Sequence, residues 1–292
     1  MTATSVAIRA VKRDGTPRRP KRAWGNPWTY LLATILVAIC IGPVLYIIIG
    51  GFRSNAQITE DPSGFPSPWV LTNYAEVLAS SEFWVAMGNS TISAVGTTAG
   101  AVVLGVMASY VIARYDFIGK GAMYSLFAAG LMFPVTVAIT PLYLLVRNLG
   151  LVNNLAGIIL PQIAFALPTT IIILVPFLRA IPKELEEAAS IDGTGRLGFF
   201  WRMVVPLSLP GVVTVGILAF VTTWNAYMLP LFILNDSHLF TLPLGVQSFA
   251  SQYSVDTARV LAYTSLSMVP ALIFFSLFEK RIVGGLQGAV KG

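Results

Sequence analysis

Long apolar stretches, separated by short polar segments, dominate the pattern of this 292-residue chain. Six stretches between consecutive charged residues are rich in apolar side chains. A helix needs roughly 20 such residues to cross a hydrocarbon core about 30 Å thick, and each stretch can supply them. We therefore predict an all-α membrane protein with six transmembrane helices. The six stretches are residues 23–52, 83–113, 121–146, 148–178, 203–235 and 260–278.

A seventh uncharged stretch, residues 237–255, does not fit this pattern. It contains His238, Gln247 and Gln252 together with several hydroxyl side chains, and Pro243 interrupts it. Polar side chains inside a membrane cost free energy unless they find partners. We interpret this stretch as a loop between the fifth and sixth helices.

Composition and charge support the membrane class and orient the chain. Hydrophobic residues make up 55% of the chain and charged residues only 11%, whereas about 25% of residues are charged in soluble domains. If the N-terminus is cytoplasmic, six helices return the C-terminus to the same side. All lysines and arginines except Arg53, Arg147 and Arg259 then lie in cytoplasmic segments, as the positive-inside rule requires. The basic tail is therefore explained as a topology signal and not as a nucleic-acid-binding segment.

The chain lacks the residues that an enzyme or a self-powered pump would need. One cysteine and one histidine cannot form a metal cluster or a Ser-His-Asp triad. The predicted helices contain no ionisable Asp, Glu, Lys or Arg to carry a coupling ion, and no phosphate-binding G-x-x-x-x-G-K-[ST] sequence is present. We predict a non-catalytic protein without its own cofactor, which is either a passive channel or is driven mechanically by another polypeptide.

The cytoplasmic segment between the fourth and fifth helices favours the second alternative. Pro182 suits the first turn of a helix, and three glutamates in that turn complement the positive end of its dipole. Leu185 and two following alanines would form one narrow face, and Gly193 can end the helix in a left-handed turn. Such a rod would be roughly 15 Å long and could lie in a groove of a partner protein. The alternative is a simple surface connector.

The residue pattern of this segment is specific. Glu187-Ala188-Ala189 and Asp192-Gly193 are followed by a terminal Pro-Leu-Ser-Leu-Pro at 206–210. This pattern resembles the signature loop of ATP-binding-cassette (ABC) importer permeases. The resemblance covers roughly residues 83–279 and implies the type I ABC importer permease fold, with both termini cytoplasmic in a bacterial inner membrane. It also implies a coupling helix that docks in a cleft of a cytosolic ATPase, formed by Glu187, Ala188, Ala189, Asp192 and Gly193.

Two other segments are similar to the carbohydrate branch of this family, and in particular to its smaller, maltose-permease-type subunit. These are residues 223–231 in the fifth helix and the glycine-rich end, residues 284–292. Sugars bind to amide groups and to flat aromatic faces, so Trp224, Asn225 and Tyr227 are candidates for the substrate pathway. Tyr227 could instead anchor its helix at the outer membrane interface.

The outer loop 242–255 is long and polar. The resemblance to maltose-type permeases implies that it reaches into a docked extracytoplasmic sugar-binding protein, and its candidate contact residues are Gln247, Gln252 and Tyr253. The alternative is an ordinary solvated loop.

Gly284, Gly285 and Gly288 lie close together in the C-terminal tail and argue against a packed helix. The resemblance implies that the tail threads between cytosolic subunits, with Gly288 and Lys291 as ATPase contacts, whereas a frayed terminus without a role is the alternative.

The expected organisation is that of one permease subunit in a larger importer of di- or oligosaccharides. The resemblance implies a second homologous permease, two ATPase subunits that bind ATP and Mg, and a sugar-binding protein. The alternatives are an ABC permease for another solute, such as a glycerophosphodiester, polyamine or peptide, and a passive channel. The predicted parts are a basic tail (1–26), a first transmembrane helix (27–52), an extracytoplasmic loop (53–82), a core permease domain (83–279, with the coupling loop 180–203) and a cytoplasmic tail (280–292).

Overall fold

The computed structural model describes the backbone of residues 27–249 and 255–290 and the side chains of residues 27–249 and 255–278. These residues form helices and turns and include no β-strand, which confirms the all-α class. The chain divides into two compact units, Met1–Leu45 and Tyr46–Gly292. Helix α1, Pro27–Gly50, begins in the first unit and ends in the second. The candidate sites lie within the second unit.

The second unit contains helices of very different length, joined by short connections. They are α2 Asn55–Glu60, α3 Thr72–Ala79, α4 Ser81–Arg114, α5 Lys120–Gly130, α6 Val135–Asn148, α7 Ala156–Arg179, α8 Lys183–Ile191, α9 Arg196–Phe199, α10 Val205–Leu207, α11 Leu209–Trp224, α12 Met228–Ile233, α13 Leu242–Gly245 and α14 Thr257–Val290. A π-helical turn, Phe200–Val204, joins α9 to α10, and 3-10 turns flank α13 at Ser237–Leu239 and Val246–Phe249. The described part of residues 237–255 thus contains only one four-residue α-helix and short 3-10 turns, in agreement with a loop.

Within the described residues, four helices are long and apolar enough to cross a membrane: α1, α4, α7 and Thr257–Phe278 of α14. Two bent helix pairs raise this number to six if each pair crosses as one broken span. The pair α5 and α6 bends by 104°, and the pair formed by Arg196–Leu207 and α11 bends by 75°. The third and fifth predicted helices are therefore not continuous rods.

Proline contributes to the first of these breaks. Pro134 is the N-cap residue of α6, and a proline disfavours helical geometry in the residue before it. Pro161 and Pro168, by contrast, lie inside the continuous helix α7. A proline in a membrane helix is tolerated where neighbouring groups satisfy the freed carbonyl, so its position alone does not predict a break.

Helix α4 packs along α7 and α11 and forms the centre of the described fold. Its contact with α7 depends on glycines, because a Cβ atom on Gly100 would contact the Ile163 side chain and one on Gly105 would contact Thr170. Small residues let helix backbones approach closely in a membrane protein. Gly100 and Gly105 therefore allow α4 and α7 to pack closely.

Two buried apolar clusters lie near opposite ends of α4. The first cluster joins α4 to α7, α8, α9 and α11 and includes Tyr110, Ala189 and Phe200. The second joins α4 to α3, α11, α13 and α14 and includes Phe83 and Tyr263, whose rings meet edge to face at 5.5 Å. The first cluster thus ties α8 to the long helices.

The segment between α1 and α4 is folded onto the start of α14. Asn55 donates from Nδ2 to Asp256 Oδ1 at 3.0 Å and accepts from the Ala258 N–H at 2.9 Å. Glu76 of α3 forms an ion pair with Arg259 of α14 at 2.5 Å. Residues 53–82 therefore have their own tertiary contacts.

Helix α14 continues to Val290, so the expectation that glycines keep the tail from being helical is wrong for residues 280–290. Each glycine costs about 1 kcal/mol relative to alanine. Extension of an existing helix, however, avoids the cost of nucleation. Gly288 lies in this helical backbone, whereas Lys291 lies outside the described residues.

Candidate functional site

Helix α8 begins and ends as its sequence predicts. Pro182 is its N-cap residue, with φ −57° and ψ 141°, and two carboxylates lie in the first turn, where they complement the helix dipole. Asp192 follows as the exposed C-cap residue. Gly193 then adopts φ +76°, and the Thr194 N–H donates to the Ala189 carbonyl at 2.8 Å. This is the left-handed turn for which glycine is preferred.

The small-residue face expected on α8 is divided in the structure. Ala189 is 7% exposed and Leu185 is half-buried, and both pack against the first apolar cluster. Glu187 and Ala188 are exposed, and Ile191 is 87% exposed. Ala189 therefore faces its own chain, and the side of α8 that a partner could reach carries Glu187, Ala188 and Ile191.

The end of α4 holds α8 and the segment that follows it. The Arg114 side chain is 5% exposed and donates from Nη1 to the Ile181 carbonyl at 2.7 Å. Its Nη2 lies 3.0 Å from Glu186 Oε2 on α8. The next residue, Tyr115, has its ring 5.6 Å from the guanidinium of Arg196 in α9, a cation–π distance. We call Arg114 and Tyr115 the α4 clamp.

An exposed ion pair follows the α4 clamp. Asp116 accepts a hydrogen bond from Lys120 Nζ at 2.9 Å, and this bond, with the lysine charge, holds the pKa of Asp116 below its usual value. The charge of Lys183 on α8 lowers the pKa slightly further, so the α4–α5 connection lies near the start of α8. Ile118, in the same connection, is fully exposed.

A second candidate site is a cavity of about 530 Å³ enclosed by residues of α5, α6, α7, α11 and α12. Residues 162, 165, 166, 169 and 170 of α7 and residues 215, 218, 219, 222 and 223 of α11 line it. Each set recurs at i, i+3, i+4, i+7 and i+8 and is therefore one face of its helix. The α5–α6 bend and the break after α11 complete the wall.

The residues that line this cavity carry no charge. Aromatic rings come from Phe133, Phe165 and Tyr227. Such a surface offers uncharged hydrogen-bonding groups beside flat apolar faces, which suits a neutral, hydroxyl-rich molecule. The polar members of the lining are Thr136, Gln162, Thr169, Thr170, Thr222, Thr223, Asn225 and Tyr227.

The structure separates two of the predicted pathway residues. Trp224 is 4% exposed, stacks on Phe220 at a centroid distance of 5.5 Å and donates to the Ser267 carbonyl at 3.4 Å. It lines a smaller cavity of about 320 Å³ and not the larger one. Asn225 is exposed at the end of α11, donates from Nδ2 to the Val221 carbonyl at 2.8 Å and lines both cavities.

Tyr227 connects the larger cavity to the outer loop. Its ring lines the cavity, and its hydroxyl accepts a hydrogen bond from Gln247 Nε2 at 3.1 Å. Leu242, at the start of the loop, is only 1% exposed, so this part of the loop is packed against the helices. Gln252 and Tyr253 lie outside the described residues.

Sequence analysis did not identify the α4 clamp or Gln162. In the sequence, Arg114 counts only as one of the lysines and arginines on the predicted cytoplasmic side. Nothing in its local sequence indicates that its side chain contacts α8. Gln162 could have been noticed as the only glutamine within the six apolar stretches. Its position on the cavity wall, however, depends on how α7 packs.

The chain matches one protein family model, described as "binding-protein-dependent transport system inner membrane component", over residues 101–282. Two similar proteins are permeases by name. The diacetylchitobiose uptake system permease protein NgcG of Streptomyces coelicolor is 34% identical, with 89% of this chain and 86% of that protein covered. The trehalose transport system permease protein SugB of Mycobacterium tuberculosis is 36% identical, with 90% and 96% covered.

A third relative and a solved structure extend the comparison. The sulfoquinovosyl glycerol transport system permease protein SmoH of Agrobacterium fabrum is 33% identical, with 92% of this chain and 95% of that protein covered. The fold also resembles one chain in the crystal structure of a bacterial ABC transporter involved in the import of the acidic polysaccharide alginate. The TM-score is 0.76 at 21% sequence identity, and 87% of this chain and 95% of that chain are covered.

Proposed function

We propose a substrate class for this chain. The premise is that the chain belongs to the binding-protein-dependent transport system inner membrane component family, whose model matches more than half of its length. The chain is a non-catalytic permease subunit of an ABC transporter, with the type I ABC permease fold. Its substrate is an uncharged di- or oligosaccharide, and this chain provides half of the translocation pathway. The uncharged cavity between α7 and α11 is the observation that carries this proposal.

The cavity favours a neutral sugar as the substrate over the other solutes that permeases with this sequence pattern could carry. Its volume of about 530 Å³ falls within the range of small-molecule sites, about 300–1,000 Å³. A polyamine, glycerophosphodiester or peptide carries charges whose transfer from water costs free energy unless opposite charges meet them. The lining offers hydroxyl groups, amides and rings, which match the hydroxyls and the apolar faces of a sugar. The relatives named for diacetylchitobiose and trehalose transport agree with this choice.

Coupling to ATP hydrolysis takes place through α8, the coupling helix. Its exposed side, with Glu187, Ala188 and Ile191, docks on a cytosolic ATPase subunit. Asp192 and Gly193 form the turn that ends it. Ala189 supports the helix from inside the chain and does not contact the ATPase directly. Leu197, 77% exposed in α9, extends the docking surface beyond the turn.

The α4 clamp supports a mechanical route from the coupling helix to the cavity. Arg114 ties α8 to α4 through an ion pair and a carbonyl contact. Helix α4 in turn packs along α7 and α11, whose opposed faces line the cavity. A displacement of α8 by the ATPase would therefore move the helices that form the cavity wall.

The complete transporter contains a second, homologous permease, two ATPase subunits that bind ATP and Mg, and an extracytoplasmic sugar-binding protein. The chain crosses the bacterial inner membrane six times, with the two bent helix pairs as broken spans and both termini in the cytoplasm. Gln247, Gln252 and Tyr253 of the outer loop contact the binding protein. Gly288 and Lys291 of the tail contact the ATPase.

Reconstitution tests the substrate class. The chain carries an affinity tag, its associated subunits are purified with it from the native membrane, and the complex is placed in liposomes with the binding protein. Uptake of trehalose and diacetylchitobiose is compared with uptake of spermidine, glycerophosphoglycerol and a tripeptide. We expect ATP-dependent uptake of one disaccharide only. Uptake of a charged solute without uptake of any sugar would refute the proposal.

A further inference from the structure

Two polar side chains near the start of α4 hold the connection between α12 and α14, which contains the outer loop. Asn89 donates from Nδ2 to the His238 carbonyl at 2.9 Å and to the Phe240 carbonyl at 3.0 Å. Ser90 Oγ accepts a hydrogen bond from the Leu242 N–H at 2.7 Å. We call Asn89 and Ser90 the outer anchor. It attaches α4 to a segment that lies 149 to 152 residues further along the chain.

The outer anchor fixes the backbone of this connection against α4. Asn89 is 9% exposed and Ser90 is 2% exposed. A hydrogen bond at a buried side chain is stronger than one in water, because the local dielectric constant is lower. All three bonds go to backbone atoms of residues 238–242. This part of the connection therefore cannot shift along α4 without breaking them.

The anchored connection continues to the wall of the larger cavity. Leu242 and Leu244 of α13 are 1% and 0% exposed, so this short helix is packed into the protein. Gln247 follows in the next turn and donates from Nε2 to the Tyr227 hydroxyl at 3.1 Å. Tyr227 lines the larger cavity. A force on the outer loop therefore acts both on α4 and on this cavity wall.

Helix α4 links the outer anchor to the α4 clamp. It runs without a break from Ser81 to Arg114, and the outer anchor lies in its third turn. At 1.5 Å per residue, about 36 Å of continuous helix separate Ser90 from Arg114. One element thus contacts the outer connection near one end and α8 at the other, and coupling between distant sites is carried by such rigid elements.

We propose that Asn89 and Ser90 are positioning residues for transport. They hold the outer loop on α4, so that docking of a sugar-loaded binding protein on this loop displaces α4 and, through the α4 clamp, α8. This inference rests on the proposed function, since it requires a binding protein that docks on the outer loop. Loss of the outer anchor should leave ATP hydrolysis intact but make it less sensitive to the docked binding protein.

The replacement Ser90→Ala tests this role with a small change. Alanine keeps the Cβ atom but removes the oxygen that accepts from the Leu242 N–H. The ATPase rate of the complete transporter in liposomes is measured without binding protein and with binding protein loaded with trehalose or diacetylchitobiose. The stimulated rate should fall about two- to tenfold, the range for one neutral hydrogen bond, while the unstimulated rate stays at the wild-type value.

Two further measurements extend this test. Asn89→Leu removes two donors and keeps a side chain of similar volume, so it should lower the stimulated rate more than Ser90→Ala does. Docking of the binding protein should also change the hydrogen exchange of α8 more in wild type than in Ser90→Ala, because the outer anchor transmits the displacement to α8.

The matched control is Ser93→Ala, about one turn further along α4. Ser93 is also 2% exposed, but its hydroxyl has no hydrogen-bond partner among the described residues, so both ATPase rates should equal those of wild type. Wild-type stimulation and wild-type α8 exchange in Ser90→Ala would overturn the inference. So would an equal fall of the stimulated and unstimulated rates, or a loss of stimulation in Ser93→Ala, because the effect would then not depend on the outer anchor. A wild-type complex that no sugar-loaded binding protein stimulates would instead refute the proposed function, and the inference with it.

Discussion

Replacing Arg114 with methionine tests the mechanical route between the coupling helix and the transmembrane helices. Methionine keeps much of the length and apolar stem of arginine, but it cannot donate to the Ile181 carbonyl or pair with Glu186. The helices that meet in the first cluster would keep their apolar contacts. The perturbation is thus confined to the polar link between α4 and α8.

The expected loss can be estimated from the two contacts. A hydrogen bond from a charged donor stabilises by about 1.5–3 kcal/mol, and the 2.7 Å contact to Ile181 comes from a side chain that is 5% exposed. The Glu186 side chain is 39% exposed, so its ion pair adds at most about 1 kcal/mol. Together they give about 1.5–4 kcal/mol, or a roughly 10- to 900-fold change in the equilibrium for detachment of α8.

Hydrogen exchange of the purified complex measures this equilibrium. Backbone amides of α8 should exchange hydrogen faster in Arg114→Met than in wild type, because local opening becomes easier. The increase should not exceed the change estimated for the detachment equilibrium. Sugar taken up per ATP hydrolysed should fall at the same time. Arg179→Met is the matched control, since Arg179 ends α7, lies 5.8 Å from the Tyr124 ring and forms no hydrogen bond or ion pair with α8 among the described residues. If α8 exchanges equally in wild type and Arg114→Met, the α4 clamp does not hold the coupling helix.

Three further outcomes follow from the same structure. Gly193→Ala should destabilise the turn that ends α8 by about 1–2 kcal/mol, the cost of a left-handed residue with a Cβ atom, and should lower sugar-stimulated ATPase activity. The control is Gly195→Ala, which should leave this activity unchanged because Gly195 lies in open space at φ −68°. Asn225→Leu should lower sugar uptake in liposomes without loss of assembled complex, and uptake equal to wild type would place Asn225 outside the pathway. Gly105→Leu should reduce the yield of assembled complex, because its side chain would collide with Thr170; a normal yield and melting temperature would show that α4 and α7 can separate without cost.

Helix α8 illustrates how far local sequence predicts structure. Its ends depend on Pro182 and Gly193, whose backbone preferences act within a few residues, and both ends are where the sequence placed them. The direction of Ala189 was not predictable in this way. It depends on the first apolar cluster, to which α4 and α11 contribute Tyr110 and Val215, far from Ala189 in the chain.

The predicted fifth transmembrane helix shows the same limit at the cavity. Trp224, Asn225 and Tyr227 are neighbours in sequence, and all three were candidates for the pathway. The chain leaves the helix after Trp224, so the tryptophan is buried while Asn225 and Tyr227 reach the larger cavity. A regular helical spacing predicts one face for each residue, but it does not predict where a helix ends inside an apolar stretch.

The amino-acid sequence by itself determined the helical membrane class, the position of α8 and the family, because apolar length, charge and short motifs are local properties. Tertiary structure alone decided which side of α8 is exposed, that Arg114 meets Glu186, and that Gln162 lies unpaired on a cavity wall. These are properties of packing between helices distant in sequence. The burial of a side chain such as Gln162 is decided only when α7 packs against its neighbours, since burial is defined by what surrounds the residue.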